Sequence, residues 1–122
     1  MTADPLSPSL DQSGDVLVAV PQGRMGKDEA DRLCALVLPR LQGPVRSLLL
    51  DLTAVDYMTS AALGVVISLL QRVRSRGGRM AVAAPGERVH LLMEVAGLNQ
   101  LVEVCRSREE AEKLLGPEAP EA

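Results

Sequence analysis

Three consecutive leucines, Leu48-Leu-Leu50, constrain the fold of this chain more than any other feature of its sequence. They lie in a short stretch, residues 45–52, that follows the helix-breaking pair Gly43-Pro44. A short continuous apolar run of this kind is typical of a central strand that is buried on both faces. Such strands belong to parallel sheets that are covered by helices. The sequence therefore predicts an α/β fold built around this strand.

Segments with strand and helix patterns alternate along most of the chain. Strands are predicted at residues 15–20, 45–52, 79–83 and 101–104, and helices at residues 27–41, 59–76, 89–96 and 107–115. In the first of these helices, Pro39 is predicted to end the regular helix just before it. The intervening residues 21–26 and 53–58 are predicted to be loops. This alternation indicates an α/β fold with a single-layer mixed, mostly parallel sheet of four or five strands and helices packed on it.

The length of 122 residues suits one domain. We expect residues 1–13 to be a lead-in or an edge strand, because proline is tolerated mainly at sheet edges. Residues 14–115 are predicted to form the folded domain. Residues 116–122 are rich in proline and glutamate and are expected to be a disordered tail.

Composition excludes several classes of function. Tyr57 is the only aromatic residue, and a net charge of −3 opposes phosphate binding, so we expect no nucleic-acid partner. One histidine, His90, and two cysteines, Cys34 and Cys105, do not have metal-ligand spacing, so neither a metal site nor a cofactor is predicted. No segment resembles a signal peptide or a membrane helix. We therefore expect a cytoplasmic protein without membrane insertion.

Signatures of enzymes are also missing from the sequence. It contains no phosphate loop, no dinucleotide-binding glycine motif and no nucleophile elbow. His90 is interpreted as an ordinary surface histidine, because we identify no third group that would orient it as a catalytic base. The prediction is a protein with no catalytic residues that is not an enzyme. A small α/β enzyme or nucleotide binder with its site at residues 56–60 stays open as an alternative.

Residues 51–66 are the most informative segment for function. The central strand ends there in a loop that leads to Thr59 and Ser60 at the start of an uncharged helix. Strand ends and helix N-termini are sites where ligands and phosphates bind. The first turn of the helix carries no acid, and we interpret it as an accessible apolar patch for a partner protein. The predicted partner-binding residues are Asp56, Tyr57, Met58, Ala61, Ala62 and Leu63.

A simpler interpretation of the same segment competes with this one. Thr59 or Ser60 is then a helix N-cap, since both residue types cap helices well. The apolar run that follows would be a central helix packed against the sheet. Arginines at the end of this helix, at positions 72, 74, 76 and 79, are interpreted as a solvated helix C-terminus rather than a phosphate site.

Three stretches carry a family resemblance. Residues 50–65 read LDLTAVDYMTSAALGV, residues 76–82 read RGGRMAV, and residues 89–98 read VHLLMEVAGL, ahead of a helix that starts at Ser107. In order and spacing these stretches resemble the STAS domains of anti-sigma factor antagonists. The resemblance covers nearly the whole chain, from about residue 15 to residue 115. It implies a STAS-like fold and a regulatory role in transcription and signal transduction through protein binding.

The resemblance also implies a switch. In such families an anti-sigma kinase phosphorylates a serine at the start of the central helix, and the unphosphorylated form binds that kinase and releases the sigma factor. The matching residue here is Ser60, with Thr59 as the alternative acceptor. The implied partner is an anti-sigma factor or serine kinase, and a weak dimer is a further expectation.

This chain departs from the family pattern at three places. Thr59 replaces an aspartate, Ala62 replaces a glycine, and Gly23-Arg-Met-Gly26 stands where the family often has Gly-Glu-Leu-Asp. An alternative function therefore stays open. Single STAS-like domains also serve as non-enzymatic subunits of lipid-transport ATPase complexes or as stress-signalling scaffolds, and Ser60 would then only cap its helix.

Overall fold

Helices cover both faces of a five-stranded sheet in the computed structural model, which describes residues 9–84 and 86–115. The strands are β1 (Ser9–Ser13), β2 (Val16–Val20), β3 (Gly23–Met25), β4 (Ser47–Asp51), β5 (Val55–Met58), β6 (Met80–Ala83) and β7 (Glu103–Cys105). The helices are α1 (Lys27–Val37), α2 (Ser60–Ser75), α3 (Glu87–Val95) and α4 (Arg108–Leu115), with 3₁₀ turns at Leu38–Arg40 and Leu98–Gln100. The predicted disordered tail, residues 116–122, lies outside the described residues.

The main sheet has the strand order β1-β2-β4-β6-β7. Strand β1 pairs antiparallel with β2, and β2, β4, β6 and β7 run parallel to one another. This arrangement confirms the predicted mixed, mostly parallel sheet. Within the described residues no helix is long and apolar enough to cross a membrane.

The leucine run forms the centre of the sheet, as its sequence predicts. Leu48, Leu49 and Leu50 are all fully buried in β4. Side chains alternate between the two faces of a strand. Leu48 and Leu50 therefore join the larger core, which includes α1 and α2, whereas Leu49 joins a smaller core closed by Ala111 and Leu115 of α4.

A second, two-stranded sheet occupies the segments that the sequence predicts as loops. Strands β3 and β5 pair in parallel, with Met25 opposite Met58. Both strands are short and carry exposed polar residues, so neither shows the apolar run that indicates a strand. The loop prediction for residues 21–26 and 53–58 is therefore wrong at these two strands.

The last strand also differs from the prediction, whereas the end of α1 agrees with it. Strand β7 begins at Glu103 rather than at residue 101, because Leu101 and Val102 both donate backbone hydrogen bonds to the carbonyl of Leu98 and continue the turn. Regular α-helix ends at Val37, before Pro39 as predicted, and Leu38–Arg40 form a 3₁₀ turn. Proline favours an early turn of this kind, since it cannot donate a backbone hydrogen bond.

The C-terminal end of α2 is attached to the rest of the fold by two arginines. Arg74 donates a side-chain hydrogen bond to the carbonyl of Leu101, and Arg76 donates one to the carbonyl of Leu41. Gly77 ends the helix in the left-handed region, with φ of +81°. The interpretation of these arginines as a solvated helix end is therefore incomplete, because two of them connect α2 to neighbouring turns.

Candidate functional site

The two-stranded sheet brings the N-termini of α1 and α2 together. The Thr59 backbone N–H donates to the carbonyl of Met25, 3.1 Å away, so the start of α2 is joined to the strand that precedes α1. At the start of α1, the Gly26 N–H donates to the Glu29 carboxylate at 3.0 Å. A Cβ on Gly26 would lie 4.0 Å from the Thr59 methyl group. The two segments thus form one continuous surface.

Thr59 is the N-cap of α2. Its backbone is extended, with φ of −86° and ψ of 162°, and its hydroxyl oxygen accepts a hydrogen bond from the Ala62 N–H at 3.0 Å. This geometry satisfies one of the N–H groups that every helix leaves free in its first turn. The N-cap interpretation is therefore confirmed for Thr59, whose half-buried hydroxyl is engaged within the fold.

Ser60 has a different environment. It is the first residue of α2, it is exposed, and its hydroxyl makes no hydrogen bond with any residue that the structure describes. No acidic residue lies in the first turn of this helix. The Ser60 hydroxyl is therefore accessible, and the positive end of the helix dipole lies beside it.

The predicted partner-binding residues divide into two groups. Asp56, Tyr57 and Ala61 are exposed, with Tyr57 at 40% of its full accessibility. Three others are buried and contribute to the larger core: Met58 (5% exposed), Ala62 (0%) and Leu63 (3%). The prediction of an accessible apolar patch is therefore wrong for Ala62 and Leu63 in the first turn of α2 and for Met58 in β5. Helical periodicity explains Ala62 and Leu63, because they lie on the face of α2 that packs into the core, whereas Ser60 and Ala61 lie on the opposite face.

Exposed apolar side chains lie instead on α3, beside Ser60. An open groove of about 400 Å³ separates the start of α2 from α3 and is lined by Tyr57, Ser60, Leu91 and Val95, among others. Leu91 is 59% exposed and Val95 is 79% exposed. Both residues are missing from the predicted site. Their i, i+4 spacing outside the buried face of α3 is the sequence signal that identifies them.

Arginines flank this groove. The Arg24 guanidinium lies 5.0 Å from the centre of the Tyr57 ring, a cation–π contact between β3 and β5. Arg24, Asp56, Tyr57 and Arg88 together line a shallow depression next to the groove. The groove beside Ser60 is thus mostly apolar, with Arg88 as a cation in its lining, and Arg24 and Asp56 lie in the depression next to it.

The remaining chemically active side chains do not form a site with Ser60. The prediction of a surface histidine is wrong for His90, which is half-buried and whose buried Nδ1 has no hydrogen-bond partner among the described residues. Burial raises the pKa of the Cys34 and Cys105 thiols, which makes both less reactive. Within residues 9–84 and 86–115 no group of histidine, cysteine and acidic residues is arranged to hold a metal ion.

Comparison with known proteins adds independent information. The family model described as "STAS domain" matches residues 7–111. A relative from Bordetella bronchiseptica, named "Putative anti-sigma factor antagonist BtrV", is 28% identical over 103 residues, which cover 84% of this chain and 89% of the relative. A shorter match, 33% identical over 55 residues, links 45% of the chain to 48% of the anti-sigma-B factor antagonist of Listeria monocytogenes.

Solved structures show the same fold. The crystal structure of TM1081 from Thermotoga maritima has a TM-score of 0.80 at 23% identity, over 88% of this chain and 93% of that one. The anti-sigma factor antagonist SpoIIAA in its unphosphorylated form gives 0.67 at 16% identity, over 86% and 93% of the two chains. SpoIIAA has also been solved in a phosphorylated form, with a TM-score of 0.68 at 15% identity, over 88% of this chain and 99% of that one. Together with the match over residues 7–111, these similarities establish that the chain belongs to the STAS domain family.

Proposed function

We propose that this protein is an anti-sigma factor antagonist that binds an anti-sigma factor or serine kinase and is switched by phosphorylation of Ser60. The observation that carries the proposal is the position of Ser60, which is exposed at the N-terminus of α2 and has a hydroxyl free of hydrogen bonds to the described residues. The curated relatives support the general role, since they are named as anti-sigma factor antagonists. The proposed role requires neither a catalytic residue nor a cofactor, and we expect it to be carried out in the cytoplasm.

The docking surface of this proposal, which we call the Ser60 surface, consists of Tyr57, Ser60, Ala61, Leu91 and Val95. Its large apolar side chains are exposed and line one groove, a combination typical of protein interaction sites. An exposed tyrosine on such a surface can anchor a partner, since aromatic side chains are enriched at binding hot spots. Two cations, Arg88 in the groove and Arg24 in the depression beside it, favour a partner with acidic groups at the facing positions.

Phosphorylation of Ser60 would change this surface sharply. A phosphoserine adds a charge of about −1.5 to −2 and three acceptor oxygens. In the free protein the N-terminus of α2 stabilises that charge. In the complex the phosphate would be desolvated against an apolar partner surface, which costs binding energy. If phosphorylation makes the binding free energy less favourable by about 2.7 kcal/mol, the affinity for the partner falls about 100-fold.

Ser60 is a better phosphate acceptor than Thr59 in this proposal. The Thr59 hydroxyl caps α2 through its bond from the Ala62 N–H, and phosphorylation there would disturb the cap. Mass spectrometry of the native protein should therefore find phosphate on Ser60. Phosphate on Thr59 alone would contradict this assignment.

Isothermal titration calorimetry against purified anti-sigma factors and serine kinases encoded in the same genome tests the proposal. Ser60→Ala should bind as the unmodified protein does, whereas Ser60→Asp should bind at least about 10-fold more weakly. Ser68→Asp is the matched control, because Ser68 is exposed on the same helix, two turns from Ser60. It should bind normally.

Equal binding by Ser60→Ala and Ser60→Asp would contradict the switch. Tight co-purification with a transport ATPase or a signalling scaffold, unaffected by either substitution, would instead favour the alternative of a permanently bound, non-enzymatic subunit.

A further inference from the structure

Arg88 is not explained by the fold. It lies in the first turn of α3, is exposed, and makes no hydrogen bond or ion pair with any described residue. A cation at this position opposes the helix dipole, which favours acidic residues such as the adjacent Glu87 in a first turn. Neither helix stability nor packing therefore accounts for an arginine here.

The location of Arg88 relative to Ser60 suggests what it does. Both residues line the groove between the start of α2 and α3, and Arg88 is the only charged side chain among the described residues that line it. Arg88 also lines the adjacent depression, together with Asp56 and Tyr57. A phosphate on Ser60 would therefore enter a groove that contains one unpaired cation.

We propose that Arg88 is the receptor within this chain for the phosphoryl group on Ser60, and that the resulting ion pair closes the groove to the partner. This inference rests on the proposed function. A kinase would supply the group from a nucleoside triphosphate: the bond between Ser60 Oγ and the γ-phosphorus forms, the bond from that phosphorus to the bridging oxygen breaks, the nucleoside diphosphate leaves, and the hydroxyl proton passes to a base of the kinase.

The guanidinium is well suited to this role. Its fixed fork of donors binds phosphate oxygens in pairs, and a phosphate carries more charge than a carboxylate. Asp56 is the competing anion in the depression, and no ion pair between it and Arg88 is formed. Arg24, the other nearby cation, already stacks on the Tyr57 ring. Arg88 is therefore the better-placed receptor.

The ion pair between Arg88 and the Ser60 phosphate would also block the groove physically, in addition to changing its charge. Leu91 follows Arg88 by about one turn of α3, and both line the groove. A guanidinium held over the Ser60 end of the groove would cover the approach to Leu91 and Tyr57. Phosphorylation would then remove an apolar site in addition to introducing a repelling charge.

The test uses protein with phosphoserine encoded at position 60, so that neither the kinase nor the partner is needed. The second ionisation of the phosphate is followed by ³¹P NMR as the pH is varied. All samples carry His90→Gln, because His90 lines a second depression together with Arg88, Glu87, Glu94 and Arg106, and the substitution removes its imidazole from the neighbourhood of Arg88. A nearby cation stabilises the dianion, so removing it should raise the midpoint of this ionisation.

Arg88→Gln should raise the midpoint by about half a pH unit, and Arg88→Lys should restore part of the difference. Arg72→Gln, which removes an exposed arginine near the far end of α2, should leave it unchanged. Equal midpoints for Arg88→Gln and Arg72→Gln would overturn the inference. That result would leave the proposed function standing, because the binding of Ser60→Asp tests that function separately.

Discussion

The division of roles between Thr59 and Ser60 makes a quantitative prediction about stability. Thr59→Ala removes the acceptor that lies 3.0 Å from the Ala62 N–H and leaves that group without its partner at a half-buried helix start. Loss of a threonine N-cap costs about 1 kcal/mol of unfolding free energy. For a domain of this size the melting temperature should fall by about 4 °C.

The assay is urea unfolding followed by far-UV circular dichroism, with calorimetry for the melting temperature. Thr59→Asp should unfold within about 0.5 kcal/mol of the wild type, because aspartate caps as well as threonine and adds a negative charge at the helix N-terminus. Ser60→Ala should also stay within about 0.5 kcal/mol, since the Ser60 hydroxyl is exposed and bonds to no described residue.

The opposite order would refute the reasoning. If Ser60→Ala cost more than Thr59→Ala, Ser60 would be the cap and its hydroxyl would not be free for modification. If Thr59→Asp were as unstable as Thr59→Ala, the hydroxyl of Thr59 would be stabilising something other than the first turn of α2.

Three further predictions concern the scaffold. Gly78→Ala should lower the unfolding free energy by about 3 kcal/mol or more, because the added Cβ would lie 1.8 Å from the Arg46 carbonyl oxygen. The control Gly64→Ala, whose Cβ would lie in open space on α2, should raise it by about 0.5–1 kcal/mol. Urea unfolding midpoints check both values. Leu49→Ala should cost about 2–5 kcal/mol, with α4 losing amide protection first in hydrogen exchange, since Leu49 packs under that helix. Burial raises the pKa of the Cys34 thiol above its usual 9.0. The stabilisation that the protonated thiol contributes is therefore fully present below pH 9 and is lost as the pH rises through the folded-state pKa. The unfolding free energy should fall more steeply from about pH 8 to pH 10 in the wild type than in Cys34→Ala.

The main sheet could be predicted from the sequence because its strands carry their own signal. The leucine run of β4 is apolar without interruption, and a strand of that type needs cover on both faces. The two-stranded sheet could not be predicted in the same way. Strands β3 and β5 owe their form to pairing between segments about 30 residues apart in the chain, and neither has an apolar pattern of its own.

The candidate site shows the same contrast. The sequence identifies Thr59 and Ser60 at a helix start, because capping residues have a local signature. It does not decide which of them caps α2, and it places Ala62 and Leu63 on the surface although both are buried. The orientation of a first turn depends on the sheet beneath it. The exposed pair on α3 becomes part of the site only because the fold brings that helix next to Ser60.

Helix α2 is attached to the fold at both ends, by the hydrogen bond from the Thr59 N–H to the Met25 carbonyl at one end and by the hydrogen bonds of Arg74 and Arg76 at the other. A helix attached at both ends has little freedom to shift or rotate when a phosphate is added at its N-terminus. The phosphorylated and unphosphorylated forms would then have the same backbone conformation and would differ only in the surface that they present to a partner protein. Because no slow conformational change would separate the two forms, the rate of switching would be set by the enzymes that add and remove the phosphate.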